Sequence, residues 1–264
     1  MEQQIKSKQR VADHGEVFTA EREVNAMCDL VKDECNRIDS RFLEPACGDG
    51  NFLAQILTRK LKTVSKMNKT NFCFEKNSLI ALASLYGIDI LKDNVLACRD
   101  RLFKIWQKKY KSACKENFDN RVENAARFIL NCNIICANAL NFLTVDENQA
   151  DTQIPIVFAE WTFFEGDSRV LRKDYTMDQL LLASGASEDG QGRIGCDENG
   201  EVQPQLMGKI EIDDYRDISS MQLPCEKYTF EAGDMTIKKA KKPKTKPLPK
   251  SRDEDQVKLE GFGV

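Results

Sequence analysis

The sequence predicts an α/β protein built on a doubly wound, mostly parallel sheet. Three observations predict it: brief apolar runs at 41–46, 85–90, 132–137 and 154–161, helical periodicity between them, and a glycine turn that joins the first run to the helix after it. Strands that alternate with helices need crossover connections, and crossovers make parallel sheets with both faces covered.

Each element has its own signal. A helix over 21–35 carries Val24, Met27, Leu30 and Val31 at helical spacing. The first strand, 41–46, breaks at Glu44-Pro45, passes through Gly48 and Gly50, and re-enters a helical pattern over 51–62 with Phe52, Leu53, Ile56, Leu57 and Leu61. The second strand, 85–90, ends in Asp89; a helix over 94–110 separates it from the third, and the fourth ends the regular alternation. Beyond residue 165 the pattern decays. A further helix over 173–184 runs through Met177, Leu180, Leu181 and Leu182, and core-building is expected to stop in the Gly-, Ser- and acid-rich stretch 185–201. Segments 205–212 and 227–231 suit short strands. Residues 237–252 hold eight Lys or Arg, three prolines and no acid, a composition that buries too little apolar surface to fold. The expected organisation is an arm over 1–20, an α/β domain over 21–184, and a polar, largely disordered region over 185–264.

Composition bounds the function. A chain of 264 residues with a formal charge of −3 does not advertise nucleic-acid binding as a whole, although the basic tail suits phosphate contact, or equally a solubilising or partner-docking role. Its first residues are polar, and no run approaches the roughly 18 apolar residues of a membrane span, so a cytoplasmic protein with no membrane partner is expected. The ten cysteines include no C-x-x-C pair and the one histidine is His14, which predicts no metal site and buried, reduced thiols.

The glycine turn carries the chemistry. Glycine removes the Cβ between backbone and ligand, and the free N–H groups of the following helix can face a polar group. Leu53 stands where a dinucleotide loop requires its third glycine, and no Gly-Lys-Ser/Thr follows, which excludes a phosphate-cradling loop. The run Glu44-Pro45-Ala46-Cys47-Gly48-Asp49-Gly50-Asn51-Phe52-Leu53 resembles the S-adenosylmethionine loop of amino-methylating DNA methyltransferases, whose usual form is Asp/Glu-Pro-Ala-Cys-Gly-Ser-Gly-x-Phe-Leu. Gly15-Glu16-Val17-Phe18-Thr19 resembles the Gly-Gln-Phe-Phe-Thr segment of type I adenine methyltransferases, which touches the methionine end of the cofactor. The strand ending at Asp89 suits the acceptor of the ribose hydroxyls, and Cys136-Ala137-Asn138-Ala139-Leu140 resembles the family's Gly-Asp-Ala/Ser-Leu, with Asn138 accepting from the adenine amino group. Spanning roughly residues 11 to 143, the resemblance implies a Rossmann-like class I methyltransferase domain. It also implies that S-adenosyl-L-methionine is held by Phe18, Thr19, Glu44, Pro45, Ala46, Gly48, Gly50, Asp89, Ile90, Asn138 and Leu140.

One motif of that family is missing. An adenine amine is a poor nucleophile, and the family accepts its protons with Asn/Asp-Pro-Pro-Tyr/Phe after the fourth strand, the aromatic ring stacking on the flipped base. None of the seven prolines here follows another proline, an Asn or an Asp. The corresponding strand end reads Ile156-Val157-Phe158-Ala159-Glu160-Trp161-Thr162-Phe163-Phe164, so Glu160 is the candidate acceptor and Trp161 the candidate stacking ring. The alternative is that Trp161, Phe163 and Phe164 cap the sheet core while Glu160 is solvated or paired.

Three functions remain open at this level. The first is a DNA adenine-N6 methyltransferase of the restriction-modification kind, with target recognition supplied by a specificity or other partner subunit or by the basic tail. The second is a catalytically silent relative that binds the cofactor as an accessory protein. A methyltransferase with a non-DNA acceptor is the third.

Overall fold

The chain forms an α/β structure in the computed structural model, which describes residues 7–14, 16–17, 19–67, 71–183, 195–196, 202–203, 206–224, 228–231 and 234–239. Helices α1 (Lys8–His14), α2 (Glu21–Leu30) and α3 (Lys32–Asn36) precede strand β1 (Phe42–Glu44). Helices α4 (Asn51–Met67) and α5 (Asn71–Ala83) connect β1 to β2 (Leu85–Asp89), and α6 (Lys92–Cys114) and α7 (Asn120–Asn133) connect β2 to β3 (Ile134–Asn138). A meander of β4 (Leu143–Val145) and β5 (Asp151–Pro155) follows, then β6 (Val157–Phe163), β7 (Val170–Thr176) and α8 (Met177–Ala183). Short strands β8 (Gly195–Cys196), β9 (Val202–Gln203), β10 (Gly208–Ile212), β11 (Tyr228–Glu231) and β12 (Asp234–Lys239) complete the described chain.

Strands β1 to β5 form one sheet in sequence order. Phe42 pairs with Leu85 and Gly87 with Ile134 in parallel register, whereas β3–β4 and β4–β5 pair antiparallel. The sheet is therefore mixed, which corrects the expected mostly parallel one. Residues 139–142 between β3 and β4 are too few for a crossover, so the chain turns back as a hairpin. Among the described residues β1 lies at the sheet edge, and β6, β7 and β10 form a separate antiparallel sheet.

Burial follows the periodicities. The fully buried Leu53, Ile56, Leu57, Leu61 and Val64 of α4 recur at three- and four-residue steps and meet Cys98, Leu102 and Trp106 of α6 in the main core. Each such side chain contributes about 1.5–3 kcal/mol. Alternate residues of β2 enter different clusters: Leu85 joins the main core, while Tyr86 and Ile88 join Ile156, Phe158 and Met177. The second sheet face is thus covered by β6 and the start of α8. Asp119 caps α7 by accepting from the Arg121 N–H at 2.8 Å. Lys60, fully buried on α4, donates to the carbonyls of Arg37, Ile38 and Ser40 and to Ser84 Oγ, fixing the turn that enters β1. Burial draws its ammonium down to about 8.

The C-terminal half differs most from expectation. Residues 170–176 are a strand, so the helix expected over 173–184 begins only at Met177. The run expected as one strand over 154–161 divides at Ile156 into β5 and β6. Core-building does not stop at 185: β10 pairs along all of its length with β7, and Tyr215 and Ile218 of the following 3-10 turn are fully buried against the main core. Ile237 to Lys239, placed by composition in the disordered tail, belong to β12. The rest of that tail lies outside the described residues.

Candidate cofactor site

Parallel strands β1, β2 and β3 end on the same side, and open α/β sheets hold ligands outside that carboxyl edge. A cavity of about 600 Å³ lies there. The glycine loop forms its floor. Cys47 N–H donates to the Ile88 carbonyl at 2.8 Å, and Gly50 N–H closes a turn onto the Cys47 carbonyl at 2.8 Å. Gly48 and Gly50 take φ of 52° and 87°, a region that side chains disfavour. A Cβ on Gly50 would stand 2.6 Å from Cys98 Sγ, so this glycine serves the packing of loop against α6 and not ligand approach. Gly87, in the middle of β2, does the same for the loop's other side: its Cβ would press at 3.1 Å on Cys47 and Leu53.

Asp89 ties three elements together. Its Oδ2 accepts from Gly48 N–H at 2.9 Å, and its Oδ1 accepts from Leu91 N–H at 2.8 Å and Asn94 Nδ2 at 3.3 Å. The strand end, the glycine loop and the start of α6 thus converge on one carboxylate. Asn138 also holds its own turn, accepting from Leu140 N–H at 3.0 Å and donating to Asp151 at 3.0 Å.

Thr19, Glu44, Pro45, Ala46, Gly48, Asp89, Ile90, Asn138 and Leu140 all line this one cavity. Gly50 is buried behind it, and Phe18 lies outside the described residues. Glu16, Asp49 and Asn94 line the cavity as well, although no site role was expected of them. The wall charge is one-sided. Glu16, Glu44, Asp49 and Asp89 face the cavity, while no Lys, Arg or His is among its described lining residues. Burial pushes the Glu44 carboxyl above the usual carboxylate range. Arg101 stands behind the loop, 2.5 Å from Asp49 Oδ2 and bonded to Asn51, and Asp49 Oδ1 is buried without a hydrogen-bond partner. Such walls suit a ligand that carries positive charge and hydrogen-bond donors, and they repel phosphate.

Glu160 and Trp161 are not brought to this cavity. As neighbours on β6 they point to opposite faces. Glu160 accepts from Arg41 at 2.6 Å, beside the amino-terminal end of β1, in a separate apolar cleft of about 210 Å³. The glycine loop is at the other end of that strand. Trp161 packs edge-on against Phe128, donates Nε1–H to Asn133 Oδ1 at 3.2 Å and lies beneath the Arg172 guanidinium. The capping role for Trp161 and the paired role for Glu160 therefore describe both residues.

Among the described residues no cluster of His, Cys, Asp or Glu could hold a metal ion, and no helix is long and apolar enough to cross a membrane. Cys28, Cys35, Cys47, Cys98, Cys114 and Cys132 are buried free thiols. A scan of family models gives no match to this chain, and neither the curated proteins nor the solved structures that were searched include one.

Proposed function

We propose that the chain binds S-adenosyl-L-methionine in the cavity at the carboxyl ends of β1–β3, within a Rossmann-like class I methyltransferase domain. By the resemblance of its glycine loop, it acts as a subunit of a DNA adenine-N6 methyltransferase of the restriction-modification kind. One observation carries the reading: a glycine loop of this wording floors a cavity that has four carboxylates, and no cation, among its described lining residues. The ligand class fits that wall. S-adenosylmethionine bears a sulfonium, an ammonium and a carboxylate and no phosphate, so its net positive charge opposes that of Glu16, Glu44, Asp49 and Asp89.

When bound, the cofactor supplies an electrophilic methyl group to an acceptor amine. The chain's residues would orient it: Asp89 fixes the glycine loop against β2, the loop turns the N-terminus of α4 towards the cavity, and Asn138 holds the β3–β4 turn at its rim. Acceptance of the amine's protons falls to groups outside the described cavity. DNA and a partner subunit that carries target recognition complete this reading.

A second reading is favoured by Trp161, whose ring and N–H are both engaged in packing. On it the chain binds the cofactor and transfers nothing by itself. Calorimetric titration with S-adenosylmethionine, followed by tritiated methyl transfer to mixed unmethylated DNA, separates the two. Heat with label in adenine supports the transferase, heat without label supports the accessory role, and no heat contradicts both.

A further inference from the structure

The N-terminal arm contributes a charged side chain from outside the α/β core. Glu16 is held at 7% side-chain exposure although it precedes every strand, and it lines the cavity. Among the described contacts, Arg10 and Asn94 hold it there. Arg10 on α1 grips it in fork geometry, Nε to Oε2 at 2.5 Å and Nη2 to Oε1 at 2.8 Å. The same guanidinium reaches Asp93 at the start of α6, Nη1 to Oδ2 at 2.7 Å, so it latches the arm onto an element 83 residues away. Between two carboxylates, it is held firmly protonated.

Asn94 is the second partner. Its Nδ2 donates to Glu16 Oε1 at 2.7 Å and to Asp89 Oδ1 at 3.3 Å, so the two carboxylates converge on one amide nitrogen. Two like charges this close repel, and Arg10 offsets the repulsion from behind Glu16 alone. What the pair presents to the cavity is a set of acceptors with no donor. A vicinal diol offers the complement, two O–H donors on adjacent carbons. Asp89 and Glu16 each accept from three N–H groups of the described chain, so with about four lone-pair sites apiece neither carboxylate by itself suits both hydroxyls of a diol, whereas the two together offer one site to each.

We infer that Glu16 is a second hydroxyl acceptor of this site, and that Glu16 and Asp89, spaced by Asn94, together grip the vicinal diol of a ribose. Arg10 is the positioning residue that keeps Glu16 in place. The inference rests on the proposed cofactor reading, and it adds a specificity: ribose over deoxyribose, read in part by the arm.

The test compares S-adenosylmethionine with its 2′-deoxyribose counterpart by calorimetry on the full chain. The unaltered protein should bind the ribose form at least about tenfold more tightly, the scale of one charge-assisted hydrogen bond. The near-isosteric Glu16→Gln should lose about tenfold for the ribose form and stay within roughly twofold for the deoxy form. Arg10→Ala should reproduce that selective loss. Equal affinity of the unaltered protein for the two compounds overturns the inference while leaving the cofactor reading intact. So does a Glu16→Gln variant that weakens both alike, because packing alone would act on both. Failure to bind either compound removes the cofactor reading and this inference together.

Discussion

The carboxyl edge of β1–β3 and the antiparallel β6–β7–β10 sheet both bury charge, and they treat it in opposite ways. In the antiparallel sheet Arg172 and Asp174, both fully buried and two residues apart on one face of β7, meet with contacts of 2.6 and 3.0 Å, and Arg172 Nη1 donates to the Gln222 carbonyl at 2.7 Å. Nothing there asks for a ligand. At the parallel edge, carboxylates crowd one cavity, one carboxyl oxygen lacks a partner, and the nearby arginines stand behind the wall instead of in the cavity. Charge closed on itself serves structure alone; charge left one-sided around a cavity is the feature on which the proposed binding role rests.

The comparison can be broken most forcefully from the structural side. Asp174→Ala removes the carboxylate that holds the buried Arg172 guanidinium through two hydrogen bonds, so it should cost about 3–5 kcal/mol in urea unfolding. In the fraction that stays folded, the heat of S-adenosylmethionine binding should not change. Gly50→Val comes next: a positive φ and a clash with Cys98 should together cost about 2–4 kcal/mol, and here ligand affinity should collapse with the loop. Trp161→Phe removes the N–H that Asn133 accepts and should cost about 1–2 kcal/mol with cofactor affinity intact. A lost affinity would return Trp161 to the site.

The smallest effect sharpens the electrostatic half. Because burial raises the Glu44 carboxyl above its ordinary pKa, it takes up a proton at higher pH than an exposed glutamate does. A cationic ligand needs the ionised form, so affinity should be full above that raised pKa and fall as the pH drops through it, by roughly fivefold for one partly screened charge. Glu44→Gln should flatten the profile. A slope unchanged in the variant would assign the titration elsewhere.

The sequence made the parallel edge legible because its signals are local. Pro45, two glycines and an acid at a strand end specify turn and strand within a few residues, and each fell where expected. Asn94 sits five residues beyond Asp89, close enough for its role to have been sought, and Gly87 inside an apolar run already signals close approach. Arg10 had no such signal, since its meaning depends on a contact 83 residues away. Helix α5 went unseen for a different reason: Leu79, Ala81, Leu82 and Ala83 are buried without a polar face between them, so periodicity has nothing to detect. Strand β10 falls inside the segment 205–212 that suits a short strand, because Ile210 and Ile212 alternate with Lys209 and Glu211, but its pairing with β7 is a long-range contact that alternation alone does not specify. Glu160 and Trp161 were paired by adjacency in sequence, and the period of two in a strand sends neighbours to opposite faces.

The most direct test of the central claim is calorimetry with S-adenosylmethionine and with ATP, which share adenine and ribose and differ in the charge carried at the 5′ carbon. The carboxylate-walled cavity predicts measurable heat with S-adenosylmethionine and none with ATP at the same concentration. Tighter binding of ATP, or equal binding of the two, would contradict a site built for a cation.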